Sequence, residues 1–493
     1  MRKNLSPLRG SFLVELESLE FFVKASRVLI LLLLLLSGCA VGPNYRRATL
    51  ITPTDFRAAS AHQQESLADL PWWEIFKDDT LKDLVKSALA NNYDLAAAVA
   101  RVEQARQVAA QARSEYFPQL NYLSILSYGH NQFISSPSSN LPGAQGFLLG
   151  IGSAAWEADI WGRIRRMNEA ARAEYLASED ARRGVMLTLV SDVSQAYFEL
   201  QGLRYQLEIA RETTQSFSTT FNLFTERLKG GLGNELQTSR AGADLATAAA
   251  SVPELERVIA LKENQISVLV GQNPGAIETK VKLLDEVIPL DVPAGLPSAL
   301  LERRPDVQAA AQTVRAANAQ IGIVQSAFFP AIGLTTFFGK LSTPLSELSS
   351  GNTNAWSLAS NFSGPIFHFG GIKARKREAI ANWEQATAQY RQTALNAFRD
   401  VSDALISREK YEGIRGELIQ SVQANQEAVR LARMRYLEGL SSYVEVLDAL
   451  QRLYPAQLSL AQTEINRRLV IIQLYKALGG GWNQTDVQFM TAK

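Results

Sequence analysis

Two stretches of this chain share one layout, and any fold it adopts must accommodate both. Arg227 to Leu245 (RLKGGLGNELQTSRAGADL) is matched by Arg435 to Leu453 (RYLEGLSSYVEVLDALQRL). Gly231 falls on Gly439, Leu232 on Leu440, Leu236 on Val444 and Leu245 on Leu453. Each copy reads as a helix that stops at a glycine-containing turn and restarts, because glycine accepts the left-handed backbone a helix end demands. The same register places Asp192-Val193-Ser194 on Asp400-Val401-Ser402 and Gly271 on Gly479. With a few residues of slippage, Asp94 meets Asp306 and Phe117-Pro118 meets Phe329-Pro330. A unit of roughly 200 residues is therefore used twice, a period too long for a solenoid and suited to a duplicated domain.

Helical spacing dominates both copies. From Gly162 onward Leu187, Val190, Val193, Tyr197, Leu200 and Leu203 recur every three or four residues, and the pattern runs to Leu228. Ile372 to Tyr436 repeats it. At 1.5 Å per residue, about 65 residues reach on the order of 100 Å, a length that needs coiled-coil-like neighbours to bury it. The return helices, Glu235 to Val270 and Tyr443 to Leu478, carry Pro253 and Pro455, where a lost hydrogen bond is expected to bend them.

Between helices the texture changes. Gln119 to Tyr128 and Phe147 to Trp161 alternate in the manner of strands around a polar loop at Asn131 to Gly146, and repeat two offers Ala331 to Gly339, a loop at Lys340 to Asn354, then Ala355 to Phe369. In the last strand Trp356, Leu358, Phe362 and Ile366 share an apolar face opposite Ser357, Asn361 and Ser363. A soluble sandwich would need more sheet than this. About ten tilted residues per strand is what an outer membrane requires. Four strands cannot close a barrel in lipid, where open edges are forbidden, so the reading demands oligomerisation.

Composition removes other classes. Lys+Arg number 50 against 49 Asp+Glu, which gives no electrostatic footprint for nucleic acid. The single cysteine and three scattered histidines build neither a disulfide nor a metal site, and no cofactor motif is present, so no metal and no cofactor are expected. No phosphate loop, histidine cluster or serine elbow argues for an enzyme. Asp78-Asp79 and Glu302-Arg303-Arg304 sit at helix starts, where capping suffices.

Near the N-terminus, Lys24 and Arg27 precede a short apolar run, Val28 to Leu36, that leads into Leu36-Ser37-Gly38-Cys39. This is the order of a secretory signal, and the run is too short to span a bilayer. Leu-Ser-Gly-Cys resembles the lipobox of bacterial lipoproteins. That resemblance implies cleavage before Cys39 and a covalent lipid on its thiol; Ala40, being non-acidic, implies delivery to the outer membrane.

Together the Cys39-Ala40-Val41-Gly42-Pro43-Asn44-Tyr45 stretch, Trp72-Trp73 with Leu81, Tyr116-Phe117-Pro118, and Tyr436-Leu437-Glu438-Gly439 followed by Val446-Leu447-Asp448-Ala449 resemble the TolC-like outer membrane factors of efflux systems, lipoprotein branch. The resemblance implies a mainly α fold with a transmembrane β-barrel portion: a duplicated helix–β-hairpin–helix unit, a long α-helical periplasmic barrel, and four strands per chain in a trimeric twelve-stranded barrel. Its expected partners are two sister copies, outer membrane lipid, a periplasmic adaptor (membrane fusion) protein, and an inner membrane pump of the RND type. Gly231, Leu232, Gly439 and Leu440 would dock the adaptor. Glu445 and Asp448 would ring the constriction, with Tyr436 as a latch, although a solvated helix face is the alternative for the two acids. Ser441-Ser442 stands where the family often carries a basic tip residue.

The expected organisation is a signal peptide at 1–38, a lipid-anchored tether at 39–70, a first repeat at 71–271 and a linker at 272–298. A second repeat follows at 299–479 and a tail at 480–493. The rival function is a lipid-anchored periplasmic structural or adaptor protein without a pore.

Overall fold

The duplication is carried into the backbone of the computed structural model, which describes residues 40–58, 78–122, 125–130, 145–279, 281–285, 295, 297–342, 346 and 354–480. Cys39, the signal-peptide region, Trp72-Trp73 and the tail from 481 lie outside the described residues. Repeat one comprises α1 (Asp79–Asn91), α2 (Tyr93–Ser114), β1 (Gln119–Asn121), β2 (Ile125–His130), β3 (Gln145–Ala158), α3 (Arg163–Lys229) and α4 (Glu235–Leu269). A 3-10 turn at Leu283–Asp285 lies between the repeats. Repeat two comprises α5 (Pro297–Arg303), α6 (Pro305–Ser326), β4 (Ala331–Ser342), β5 (Asn354–Ser363), α7 (Gly371–Leu437) and α8 (Tyr443–Ala477).

α3 and α7 are 67 residues each, α4 and α8 are 35 each, and all four begin at the offset that pairs Gly231 with Gly439. α2 and α6, 22 residues each, follow the offset that pairs Phe117 with Phe329. The slippage is therefore confined to the β-hairpins. Pro253 and Pro455 sit inside unbroken helices, and the Tyr454 hydroxyl lies 3.2 Å from Ser251 Oγ, which brings the two proline regions to one level between α4 and α8.

By backbone contacts the chain divides into two compact units, and each draws on both repeats. One comprises Met1–Ala48, Glu103–Leu176 and Ala311–Ala388; the other comprises Thr49–Val102, Ala177–Ala310 and Gln389–Lys493. The two repeats are joined through their hairpins, which share one sheet.

That sheet is an antiparallel meander with β1 and β2 both on β3, β3 on β4, and β4 on β5. β3 meets β4 from Phe147↔Ser342 to Ala158↔Ile332, with a register shift between Gly150 and Gly152. β4 meets β5 from Ala331↔Ser363 to Lys340↔Asn354. Among the described residues the outer edges of β1–β2 and of β5 have no strand partner. β5 ends at Ser363, ahead of Gly364-Pro365, so the expected strand to Phe369 is too long and Ile366 does not belong to its apolar face. Trp156 and Trp161 tie the base of the sheet. Trp156 Nε1 donates to Tyr116 O at 3.0 Å, Trp161 Nε1 donates to Pro330 O at 2.8 Å, and the Trp161 ring stacks on Phe329 at 4.6 Å. No helix among the described residues is long and apolar enough to cross a membrane.

Ala40 to Asn44, at the start of the expected tether, is clamped against the repeats' own side chains. Val41 N donates to Trp161 O at 2.9 Å. The buried Arg166 guanidinium donates to Val41 O (3.4 Å), Gly42 O (3.2 Å) and Asn44 Oδ1 (2.8 Å), and pairs with Glu169 at 2.7 Å. Asn318 Nδ2 donates to Pro43 O at 2.9 Å. Gly42, at φ 100, lies so close to Gly322 that a Cβ would sit 2.5 Å from the Gly322 Cα. Sequence periodicity cannot reveal such a contact, since it joins residues far apart in the chain and leaves no local pattern.

Candidate functional site

Both helical tips close in the same way. After α3, Leu232 N donates to Arg227 O (2.9 Å) and Gly231 N to Leu228 O (3.1 Å); after α7, Leu440 N donates to Arg435 O (2.8 Å) and Gly439 N to Tyr436 O (3.1 Å). This paired bonding needs a left-handed residue at the turn, and Gly231 (φ 71) and Gly439 (φ 77) supply it. The next side chains, Leu232 and Leu440, stand 80% and 65% exposed. Leu236 and Val444, also duplicated, are exposed beside them. The four candidate docking residues are thus brought to two matched turns, each carrying a bare leucine.

Below the turns all four helices share a core. Phe217 and Phe224 of α3, Ala241 and Ala248 of α4, Val429 and Ala432 of α7 meet Tyr443, Val446, Leu447 and Leu450 of α8. Phe224 packs edge-on against Tyr443 at 4.3 Å, and Tyr436 completes the cluster at 5.2 Å from Tyr443. Full burial of one such aromatic side chain is worth about 1.5–3 kcal/mol, so the tips have a rigid base. Burial pushes the Tyr443 phenol above its ordinary pKa, against opposing contributions from Thr220 and Arg433, which keeps it neutral.

The three candidate gate residues lie on this base, and each has a cationic partner. The Tyr436 hydroxyl accepts a hydrogen bond from Arg227, whose guanidinium also lies 5.5 Å from the ring centroid. Glu445 is 3.7 Å from Arg435 Nε, and Asp448 is bound by Arg452 at 3.0 Å one helical turn on. Both acids are exposed. Ser441-Ser442 leaves no basic residue in the tip turn; beside it Arg227 and Arg435, in the last turns of α3 and α7, pair with Tyr436 and Glu445 and complement the helix dipoles. Sequence reasoning misses these two arginines because a turn is recognised by its own residues. Their placement in a last helical turn is the one signal the sequence carries.

The family model for outer membrane efflux protein matches residues 84–272 and 296–480. The chain belongs to the outer membrane efflux protein family. The toluene efflux pump outer membrane protein TtgC of Pseudomonas putida is 32% identical over 463 residues, covering 92% of this chain and 95% of TtgC. The probable outer membrane lipoprotein SilC of Salmonella typhimurium is 32% identical over 452 residues, covering 91% of this chain and 97% of SilC. The solved outer-membrane channel OprN superposes with a TM-score of 0.83 at 31% identity, covering 90% of this chain and 100% of OprN. The efflux family fold is the mainly α architecture with a β-barrel portion expected from the sequence. This chain is an outer membrane efflux channel protein, and nothing favours the poreless alternative.

Proposed function

We propose that three copies of this chain form a passive exit duct whose tips dock on a periplasmic adaptor linked to an inner membrane pump of the RND type. In this reading a covalent lipid on Cys39 anchors each copy. The two sheet edges that lack a strand partner among the described residues call for sister copies, since lipid offers no partner for a bare ladder of peptide groups. Sealing them between copies completes a barrel.

Docking is carried by the matched tips. Leu232 and Leu440 are apolar, exposed and held on rigid turns whose glycines a partner can approach closely. Adaptor helices with an apolar end fit such a surface. The test is the pair Leu232→Asp and Leu440→Asp in a host with the adaptor and pump. Efflux should fall while purified protein keeps its oligomer and its bilayer conductance. Undiminished efflux would remove the docking role.

Gating is assigned to Tyr436, Glu445 and Asp448 together with their arginines. Glu445 ties α8 to α7 through Arg435 and Tyr436 ties α7 to α3 through Arg227, whereas Asp448 pairs with Arg452 inside α8; the surplus charge of the two acids is smaller than a bare ring would give. Opening requires the two contacts between helices to separate, and the pump side supplies the energy.

A further inference from the structure

The junction between sheet and long helix occurs twice, and the two copies differ in charge. In repeat one, Trp161-Gly162 leads into α3, and the three arginines that follow are satisfied within the chain. Arg163 pairs with Glu157 at 2.7 Å, Arg165 with Asp159 at 3.1 Å, and Arg166 with Glu169 at 2.7 Å. In repeat two, Phe369-Gly370 leads into α7. Gly370 (φ 83) matches Gly162 (φ 80), which fixes the correspondence.

At the positions of the three carboxylates, repeat two has Pro365, Phe367 and Arg377. It nevertheless keeps Lys373 where Arg165 stands and adds Arg375 and Lys376. Lys373, Arg375 and Arg377 are exposed, Lys376 is half-buried, and among the described residues none of the four has an ion pair. Four cations in the first two turns of a helix oppose its dipole, and α7 has no acidic residue in its first turn. Apart from the exposed Glu378 that follows them, this part of the chain offers them no counter-charge among the described residues.

The residues just before them are apolar and bare. Phe362, Ile366, Phe367 and Phe369 are exposed, and the Phe367 and Phe369 rings meet edge-to-face at 4.4 Å. Phe369 holds this place at φ 47, a backbone conformation glycine takes more easily. Aromatic rings followed at once by unpaired cations match the order of layers at a bilayer face, acyl chains first and then headgroups.

We infer that this junction is a binding surface for anionic phospholipid headgroups of the leaflet facing the periplasm. The rings enter the acyl boundary, and Lys373, Arg375, Lys376 and Arg377 take the phosphates. The inference rests on the β strands crossing the outer membrane, and its test separates the two.

The full chain is placed in bilayers of equal parts phosphatidylglycerol and phosphatidylethanolamine, and the lipids that stay bound on extraction are weighed by native mass spectrometry. Wild type should retain phosphatidylglycerol over phosphatidylethanolamine by at least about tenfold, with the preference weakened by salt. The fourfold variant Lys373→Gln, Arg375→Gln, Lys376→Gln, Arg377→Gln should bring the ratio near one, with oligomer and ion flux intact. A second variant, Pro365→Glu with Phe367→Asp, restores two of the carboxylates of repeat one; it should also abolish the preference while keeping every cation. Inorganic phosphate should displace no more lipid than sodium chloride of equal ionic strength.

Equal retention of the two lipids by wild type, or a preserved preference in the fourfold variant, overturns the proposal. So does displacement by inorganic phosphate beyond that of sodium chloride at equal ionic strength, which makes free phosphate the ligand. Loss of the oligomer in the fourfold variant also overturns it, by placing the cations against a neighbouring copy. Failure of wild type to enter the bilayer overturns the membrane reading, and this proposal with it.

Discussion

Arg227 donates a hydrogen bond to the Tyr436 hydroxyl, joining the last turn of α3 in repeat one to the last turn of α7 in repeat two. The same guanidinium lies over the tyrosine ring, so one side chain makes both a polar and a cation–π contact. On an exposed pair screened by solvent such a contact is worth about 1 kcal/mol or less.

Tyr436→Phe keeps the ring against Phe224 and Tyr443 but removes the acceptor. Single-channel conductance in planar bilayers should rise. Arg227→Gln should raise it similarly, and the double variant no further, because both changes break one contact. Additive increases would show that the two residues act on the tips separately.

The acidic residues yield a prediction with opposite signs. Replacing Glu445 and Asp448 with Ala removes negative charge from the tips and should lower cation selectivity. Replacing their partners, Arg435→Gln and Arg452→Gln, exposes the same carboxylates and should raise it. Reversal potentials under a salt gradient distinguish the two. A shared sign for both pairs would mean the charges lie off the ion path.

A buried charge cluster sets acid stability. Glu464 accepts from Arg415 at 2.5 Å, from Arg467 at 2.8 Å and from Arg468 at 3.1 Å, while Arg467 also holds Glu412 at 2.6 Å. Burial alone would raise the Glu464 pKa; the hydrogen bond from Arg415, the charge of Arg467 and the bond from Arg468 outweigh it and hold the carboxyl below its ordinary value. The folded state then binds fewer protons than the unfolded chain. Its stabilisation is fully present above the ordinary glutamate range and is lost as pH falls through the folded value. Glu464→Gln should lower stability at neutral pH by about 3–5 kcal/mol and flatten the fall in melting temperature between neutral and acid pH. An unchanged acid profile would locate the sensitivity elsewhere.

The parts that could be read from the sequence are those in which one local rule repeats. The Gly231 and Gly439 turns, the paired long helices and the strand-like faces each follow from spacing within a dozen residues, and the duplication checks every one of them twice. What could not be read depends on distant partners. Arg227 on Tyr436, Arg467 on Glu412 and the Arg166 clamp each join a side chain to a group whose identity its own neighbours do not announce. The end of β5 escapes the pattern for a related reason: alternation continues through Ile366, while Pro365 lacks the N–H a ladder needs.

The clamp at the N-terminus gives the last prediction. Arg166 is buried and satisfies two backbone carbonyls, Asn44 and Glu169 at once, a set that needs the several fixed donors of a guanidinium. Among the described residues Arg166→Ala leaves Glu169 with only Arg315, at 3.7 Å, and strips the carbonyls of their donor, at a cost of about 3–5 kcal/mol. Arg166→Lys keeps the charge but cannot reach all four acceptors, so it should recover only part of that loss. Gly42→Val attacks the same seat from the other side: its Cβ would meet the Gly322 backbone, and its φ of 100 is one that valine resists. It should release Ala40 to Asn44 while leaving α3 and α6 folded. Trypsin cleavage after Arg46 and Arg47 reads the release directly, and faster cleavage in Gly42→Val and Arg166→Ala than in wild type is expected. Equal cleavage rates with unchanged melting temperatures would mean that the segment is held by its anchor and not by the clamp.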